Sequence, residues 1–206
     1  MQKVDYIVHI VDDEEPVRKS LAFLLTMSGF AVRMHESASN FLAAASGIRD
    51  GVLVTDLRMP DMTGVELLQA LRLAGTTLPS IVITGHGDVP MAVEAMKAGA
   101  IDFIEKPFED EVLIEAIRRA AEQLSEKPSD IDDVGAIQAR LEQLSERERQ
   151  VLSGVVAGLP NKSIAYDLDI SPRTVEVHRA NVMAKMQARS LPQLVRMAIA
   201  AGFGPA

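Results

Sequence analysis

The sequence predicts an α/β, doubly wound five-stranded parallel sheet followed by an all-α helix-turn-helix domain. Three observations predict it. Five short apolar runs alternate with amphipathic helical stretches up to residue 124, the rhythm of a parallel sheet covered on both faces. Beyond residue 138 only helical periodicity follows, including two helices joined by the tight turn Asp169-Ile170-Ser171. Charge divides along the same line: residues 1–124 carry 19 acidic against 11 basic side chains, 125–138 carry 4 against 1, and 139–206 carry 6 against 9. A chain of 206 residues is long enough for two domains that each bury a core. Their expected limits are 1–124 and 139–206, with 125–138, acidic and broken by Pro128, as the linker.

The first strand is read over Asp5 to Val11, stopped by Asp12-Asp13-Glu14-Glu15. A helix follows with Pro16 in its first turn, Val17, Leu21, Leu24 and Leu25 on one face, and Gly29 closing it. Ala31 to Met34 is a short strand and Ala38 to Ala45 a helix of small residues. Val52 to Asp56 is a buried strand that ends on a carboxylate, where open α/β sheets deliver their chemistry. Gly64 opens a helix through Leu71, and Ser80 to Thr84 is the fourth strand. After the Gly85-His86-Gly87 turn, Asp88 is expected to cap a helix ending at Ala98. Ile101 to Glu105 is the fifth strand, and Glu109 to Leu124 a charged amphipathic helix. In the C-terminal part, Ser145 with Glu148 reads as a capping box, Asn161 as the cap of a short helix to Leu168, Pro172 as the start of a helix to Met186, and Leu191 to Ala201 as the last helix.

Cysteine is absent, which excludes disulfide scaffolds, thiolate metal sites and cysteine nucleophiles together. No signal pattern opens the chain, and no apolar run approaches the ~20 residues that span a bilayer, so a cytoplasmic protein without membrane partners is expected. His9, His35, His86 and His178 are scattered, and each reads as a structural residue.

Asp12, Asp13, Asp56, Thr84 and Lys106 all fall at the carboxyl ends of strands, which converge on one crevice if the strands are parallel. Three carboxylates facing one amine and one hydroxyl make a metal-assisted phosphate site. Hard oxygen donors select Mg2+, which completes its octahedron with water and phosphate oxygens. On the helix ending at Ala98, Ala92, Ala95 and Met96 suit the buried side, leaving Val93 and Lys97 outward as a dimer face.

Asp12-Asp13, Asp56 with Arg58-Met59-Pro60 and Gly64, Thr84-Gly85-His86 and Lys106-Pro107-Phe108 resemble the receiver domain of bacterial response regulators, across the whole of 1–124. The resemblance implies that Asp56 is the phosphoacceptor and that Asp13, Asp56 and the backbone carbonyl of Arg58 bind Mg2+ directly, with Asp12 acting mainly through water. Lys106 then pairs with the phosphoryl oxygens, Thr84 hydrogen-bonds one of them, and Phe103 is the aromatic on the fifth strand that turns inward. A cis Lys106-Pro107 bond is also implied.

On the helix from Pro172, Val175, Val182 and Met186 recur at core spacing, which leaves Arg173, Thr174, Glu176, Val177, His178, Arg179 and Lys185 to face double-stranded DNA. The sequence Leu144-Ser145-Glu146-Arg147-Glu148, Gly158, Asn161-Lys162, Ser171-Pro172, Thr174-Val175, His178 and Lys185-Met186 closely resembles the LuxR-type effector domain. The whole chain resembles the response regulators of nitrogen-fixation genes. That likeness implies a histidine kinase of the FixL type as phosphodonor, a homodimer when phosphorylated, and an activator that binds promoter DNA and meets RNA polymerase. Control of a different regulon by the same architecture is the alternative. An aspartyl-phosphate hydrolase is disfavoured because Arg58 stands where such enzymes place a second acid, so no enzyme is expected. RNA binding is disfavoured because Tyr166 and Phe203 are the only aromatics of the C-terminal part.

Overall fold

The computed structural model describes residues 6–48, 50–85, 89–125 and 134–203. The expected Gly85-His86-Gly87 turn, the Asp88 cap and most of the linker therefore lie outside the described residues. Contacts group residues 1–86 and 98–128 into one compact unit, and 87–97 and 129–206 into a second.

In the first unit β1 (Ile7–Val11), β2 (Ala31–His35), β3 (Gly51–Asp56), β4 (Ser80–Thr84) and β5 (Asp102–Glu105) form one parallel sheet in the order β2-β1-β3-β4-β5. Alternation along the strands sorts its two faces. Val8, Ile10, Val52, Val54, Ile81 and Ile83 meet Leu21 and Leu25 of α1 (Glu15–Met27) and Leu113, Ala116, Ile117 and Ala120 of α5 (Asp110–Ser125). Val11 and Leu53 meet Phe41 of α2 (Ala38–Ala45) and Leu67 and Leu71 of α3 (Gly64–Leu73). Gly29, at φ +89°, ends α1 where a side chain would be strained, and the Phe30 N–H closes on the Leu25 carbonyl. No helix of the described residues is long and apolar enough to cross a membrane.

The second unit contains α4 (Val89–Ala98), α6 (Val134–Glu142), α7 (Glu146–Val156), α8 (Asn161–Asp167), α9 (Pro172–Met186) and α10 (Leu191–Ala200). Helix α6 corrects the expected linker, whose limit at 138 falls inside it. Its Ile137 and Leu141 join Leu144, Leu152, Val156, Val182, Met186 and Leu194 in one core. The capping box of Ser145 with Glu148 is formed as the sequence predicts. Asn161 is not a cap: Pro160 holds that position and Asn161 opens the helix. Between α8 and α9, Asp169 takes the left-handed conformation at φ 53° while the Ile170 N–H donates to the Ala165 carbonyl, which makes the helix-turn-helix bend tight.

On α4 the structure corrects one side of the proposed dimer face. Val93 is 1% exposed, buried like Ala92, Ala95 and Met96, whereas Lys97 is exposed. Val93 lies beside Gly158, where an added Cβ would come within 3.9 Å of the Val93 Cβ, a neighbour that helical spacing alone does not reveal.

Candidate functional site

Four of the five expected polar groups stand at one edge of the sheet. Asp12 stands one residue beyond β1, Asp56 ends β3, Thr84 ends β4, and Lys106 stands one residue beyond β5. Lys106 Nζ donates to Asp56 Oδ1 at 2.9 Å and to Asp12 Oδ2 at 3.2 Å, joining residues 50 and 94 positions away in sequence. Its backbone is held in place, since the Lys106 N–H donates to the Thr84 carbonyl at 2.7 Å; the Lys106-Pro107 bond is cis. Asp12 is 1% and Asp56 9% exposed. Asp12 Oδ1 also accepts from the Glu14 N–H at 2.9 Å, and Asp56 Oδ2 from the Arg58 N–H at 2.7 Å.

Two carboxylates so placed repel one another, and the ammonium between them offsets that cost. Burial pushes the Asp12 carboxyl above the ordinary carboxylate range, with Lys106 pulling it part of the way back and Asp56 pushing it further up. Burial works against the Lys106 ammonium too, but the hydrogen bonds and charges of Asp56 and Asp12 outweigh it and raise its pKa.

Of the three expected carboxylates, Asp12 and Asp56 meet at Lys106. Asp13 is exposed, and among the described residues no three His, Asp or Glu side chains stand close enough to share a metal ion. The donor chemistry still fits a hard cation, because Asp12 and Asp56 direct oxygens at one point that the Lys106 ammonium now holds. Thr84 is buried at the same edge, and Phe103 is half-buried on β5.

The loop after Asp56 turns back over the strand end at Gly64. A Cβ there would lie 2.5 Å from the Asp56 carbonyl oxygen, so only glycine permits the approach.

On α9 the residues expected to face DNA differ in exposure. Arg173, Glu176 and Val177 are exposed, Val177 at 56%. Thr174 is half-buried, with its hydroxyl 2.8 Å from that of the capping Ser171. Arg179 turns toward α8, donates to Asn161 Oδ1 at 2.7 Å, and has its pKa lowered by burial. Lys185 is tied to Glu148 Oε2 at 2.6 Å and to the Gln143 carbonyl at 3.2 Å. His178 is half-buried with its Nδ1 inside. His178, Arg179 and Lys185 are thus half-buried, the last two hydrogen-bonded to groups outside α9. Helices α6, α7 and α8 all pack against α9 and cover a wider arc than Val175, Val182 and Met186 alone suggest. The exposed stripe instead continues through Ala180, Asn181 and Ala184, which the sequence reading passed over. Their spacing of i, i+4, i+7, i+8 and i+11 from Arg173 was the signal available.

One cluster lies outside both expected sites. His9 Nδ1 is 3.1 Å from His35 Nε2, the rings stack at 5.3 Å, Phe41 meets both edge-on, and His35 Nδ1 is 3.3 Å from Asn40 Oδ1. Burial, then His35 and Arg33, hold the His9 pKa down at about 4, and burial also lowers that of His35.

Comparison with known proteins agrees with this geometry. Residues 8–118 match the response regulator receiver domain, and residues 142–198 match the bacterial regulatory proteins of the luxR family. The chain is 77% identical over 201 residues to the transcriptional regulatory protein FixJ of Rhizobium meliloti, covering 98% of each chain. It is 56% identical to the protein of the same name from Azorhizobium caulinodans, over 97% of this chain and 94% of that one. Among solved structures, full-length FixJ from B. japonicum is similar with a TM-score of 0.57 at 49% identity, covering 97% of this chain and 98% of that one. The chain thus belongs to the FixJ-type two-component response regulators, a receiver domain followed by a LuxR-type helix-turn-helix domain.

Proposed function

We propose that Asp56 accepts a phosphoryl group from a FixL-type histidine kinase, and that the modified chain dimerises and binds promoter DNA to activate nitrogen-fixation genes. The observation that supports this reading most is the Lys106 ammonium shared between buried Asp12 and Asp56 at the carboxyl edge of a parallel sheet. In the transfer an Asp56 carboxylate oxygen bonds to phosphorus as the bond from phosphorus to the donor nitrogen breaks. A carboxylate is a weak nucleophile, so charge on the phosphoryl oxygens must be neutralised. Lys106 supplies one positive charge there, and Thr84, buried at the same edge, would donate its hydroxyl. Asp12, Asp56 and the Arg58 carbonyl would hold Mg2+, with Asp13 joining them only if its exposed side chain turned inward; the ion supplies two more positive charges when bound. Once made, the acyl phosphate brings about −2 charge and three strong acceptors into the crevice.

Arg173, Thr174, Glu176 and Val177 present the first turns of α9 to the major groove, where HTH recognition helices read base edges. Lys97 remains the exposed candidate on α4 for the dimer face. RNA polymerase contact follows from the activator role, and the protein acts in the cytoplasm. It is a regulator and not an enzyme: Arg58, two residues beyond Asp56, offers no general acid for rapid hydrolysis. Promoter binding by wild type and Asp56→Asn, each treated with a phosphodonor, tests the proposal. Wild type should tighten on treatment and Asp56→Asn should not; equal affinities would overturn it.

A further inference from the structure

The loop from Leu57 to Thr63 carries Arg58, whose carbonyl belongs to the metal site in the reading above. Both ends of the loop are pinned by backbone: the Leu57 N–H donates to the Ile83 carbonyl at 2.9 Å, and the Gly64 N–H to the Leu57 carbonyl at 2.8 Å. A further tie reaches sideways. Asp61 Oδ2 accepts from the Ser39 backbone N–H and from the Ser39 hydroxyl, both at 2.8 Å, across 22 residues of sequence. Ser39 is the second residue of α2, so the carboxylate also meets the positive end of that helix. These bonds hold the Asp61 carboxyl below its ordinary range.

The first turn of α2 is itself fixed. Ser37 accepts from the Asn40 N–H, Asn40 Oδ1 lies 3.3 Å from His35 Nδ1, and the His35 carbonyl accepts from the Asp12 N–H at 3.4 Å. Asp61 is exposed while nearby Met59 is buried with Ala38 and Phe41, so hydrogen bonds rather than burial locate Asp61. One carboxylate thus joins the loop beyond the phosphoacceptor to the helix that follows His35, Asp12's backbone partner on β2.

We propose that Asp61 is a positioning residue for phosphoryl acceptance: by clasping Ser39 it fixes the loop, and with it the Arg58 carbonyl, relative to Asp12 and Asp56. This rests on Asp56 being the acceptor. Exposed hydrogen bonds of this kind add little to global stability but restrict the segment that makes them. A purely structural residue would change the melting temperature and leave metal dependence alone.

The test uses the full chain as wild type, Asp61→Ala, Asp61→Asn and Ser39→Ala. In metal-free protein, amide exchange at residues 58–62 should rise about tenfold in Asp61→Ala, and less in Asp61→Asn, whose amide oxygen still accepts from Ser39. Ser39→Ala, which keeps the backbone donor, should fall between. With acetyl phosphate as donor, the Mg2+ concentration that half-saturates the rate of Asp56 phosphorylation should rise about fivefold in Asp61→Ala, with the saturated rate within about twofold of wild type and most of the effect reversed in Asp61→Asn. Unchanged exchange, or an unchanged half-saturating Mg2+ concentration in Asp61→Ala, overturns the proposal. Wild type that takes no phosphoryl group overturns the reading beneath it, and is distinguishable from a failed clasp because exchange registers the clasp without any phosphodonor.

Discussion

Replacing Lys185 by Met separates two roles that one ammonium could play on α9. Its Nζ lies 2.6 Å from Glu148 Oε2, and Glu148 is 4% exposed. That hydrogen bond is the largest cause of a Glu148 pKa lowered from 4.5 to about 2, with the Ser145 N–H second. Fully realised, a fall of this size corresponds to roughly 3 kcal/mol. The Lys185 side chain is 39% accessible, so solvent screening reduces the stabilisation lost in Lys185→Met to about 1–2 kcal/mol. For a domain of this size that lowers Tm by roughly 5–10 °C. The sign also sets a pH window. A carboxylate with a depressed folded pKa contributes its stability above the unfolded pKa, so the gap between wild type and variant should narrow as pH falls from 4.5 toward about 2. The assay is thermal unfolding of the C-terminal helices, followed by exchange of α7 and α9 amides, alongside promoter binding well below the transition. Binding and its salt dependence should be unchanged in Lys185→Met, whereas Arg173→Ala should weaken binding about tenfold and reduce the salt slope by about 1. If Lys185→Met loses affinity and salt slope as Arg173→Ala does, with its stability intact, the ammonium faces DNA and the argument fails.

The buried histidine pair makes receiver stability depend on pH: both pKa values are depressed, so their contribution is complete above about pH 6.5 and declines toward pH 4. Urea midpoints that stay level from pH 7.5 to 5 would contradict this. Gly64→Ala should cost about 1–3 kcal/mol and slow phosphorylation, because the new Cβ meets the Asp56 carbonyl at 2.5 Å; an unchanged urea midpoint would refute it. Lys106→Met leaves Asp12 and Asp56 facing one another without a cation, so added Mg2+ should raise Tm more in this variant than in wild type, and equal increments would count against the shared ammonium.

What could be read beforehand followed from local pattern. The order of polar groups is visible because β1, β3, β4 and β5 each carry a short apolar run that stops at or beside Asp12, Asp56, Thr84 or Lys106, whereas the edge strand β2 ends at no such group. Helix α6 was hidden because Ile137 and Leu141 follow an acidic stretch and offer too few turns for a period to show. The exposed face of α9 is narrower than its spacing suggests because core spacing identifies the centre of a buried stripe and not its width. Lys185 and Arg179 look like free cations until Glu148 and Asn161 are brought beside them by other helices. The histidine pair was out of reach of pattern altogether. His9 pairs in register with Arg33, so His35 is its diagonal neighbour on the same face, a relation that exists only once β1 and β2 lie side by side.

The account turns on whether Asp56 carries the phosphoryl group. Mass spectrometry of the intact chain and its peptides, after incubation with a histidine kinase and ATP, measures this directly. One phosphoryl group should be added, mapping to the peptide that contains Asp56 and missing from Asp56→Asn. Label on another residue, or an unlabelled chain that still tightens on promoter DNA after the same treatment, would contradict it.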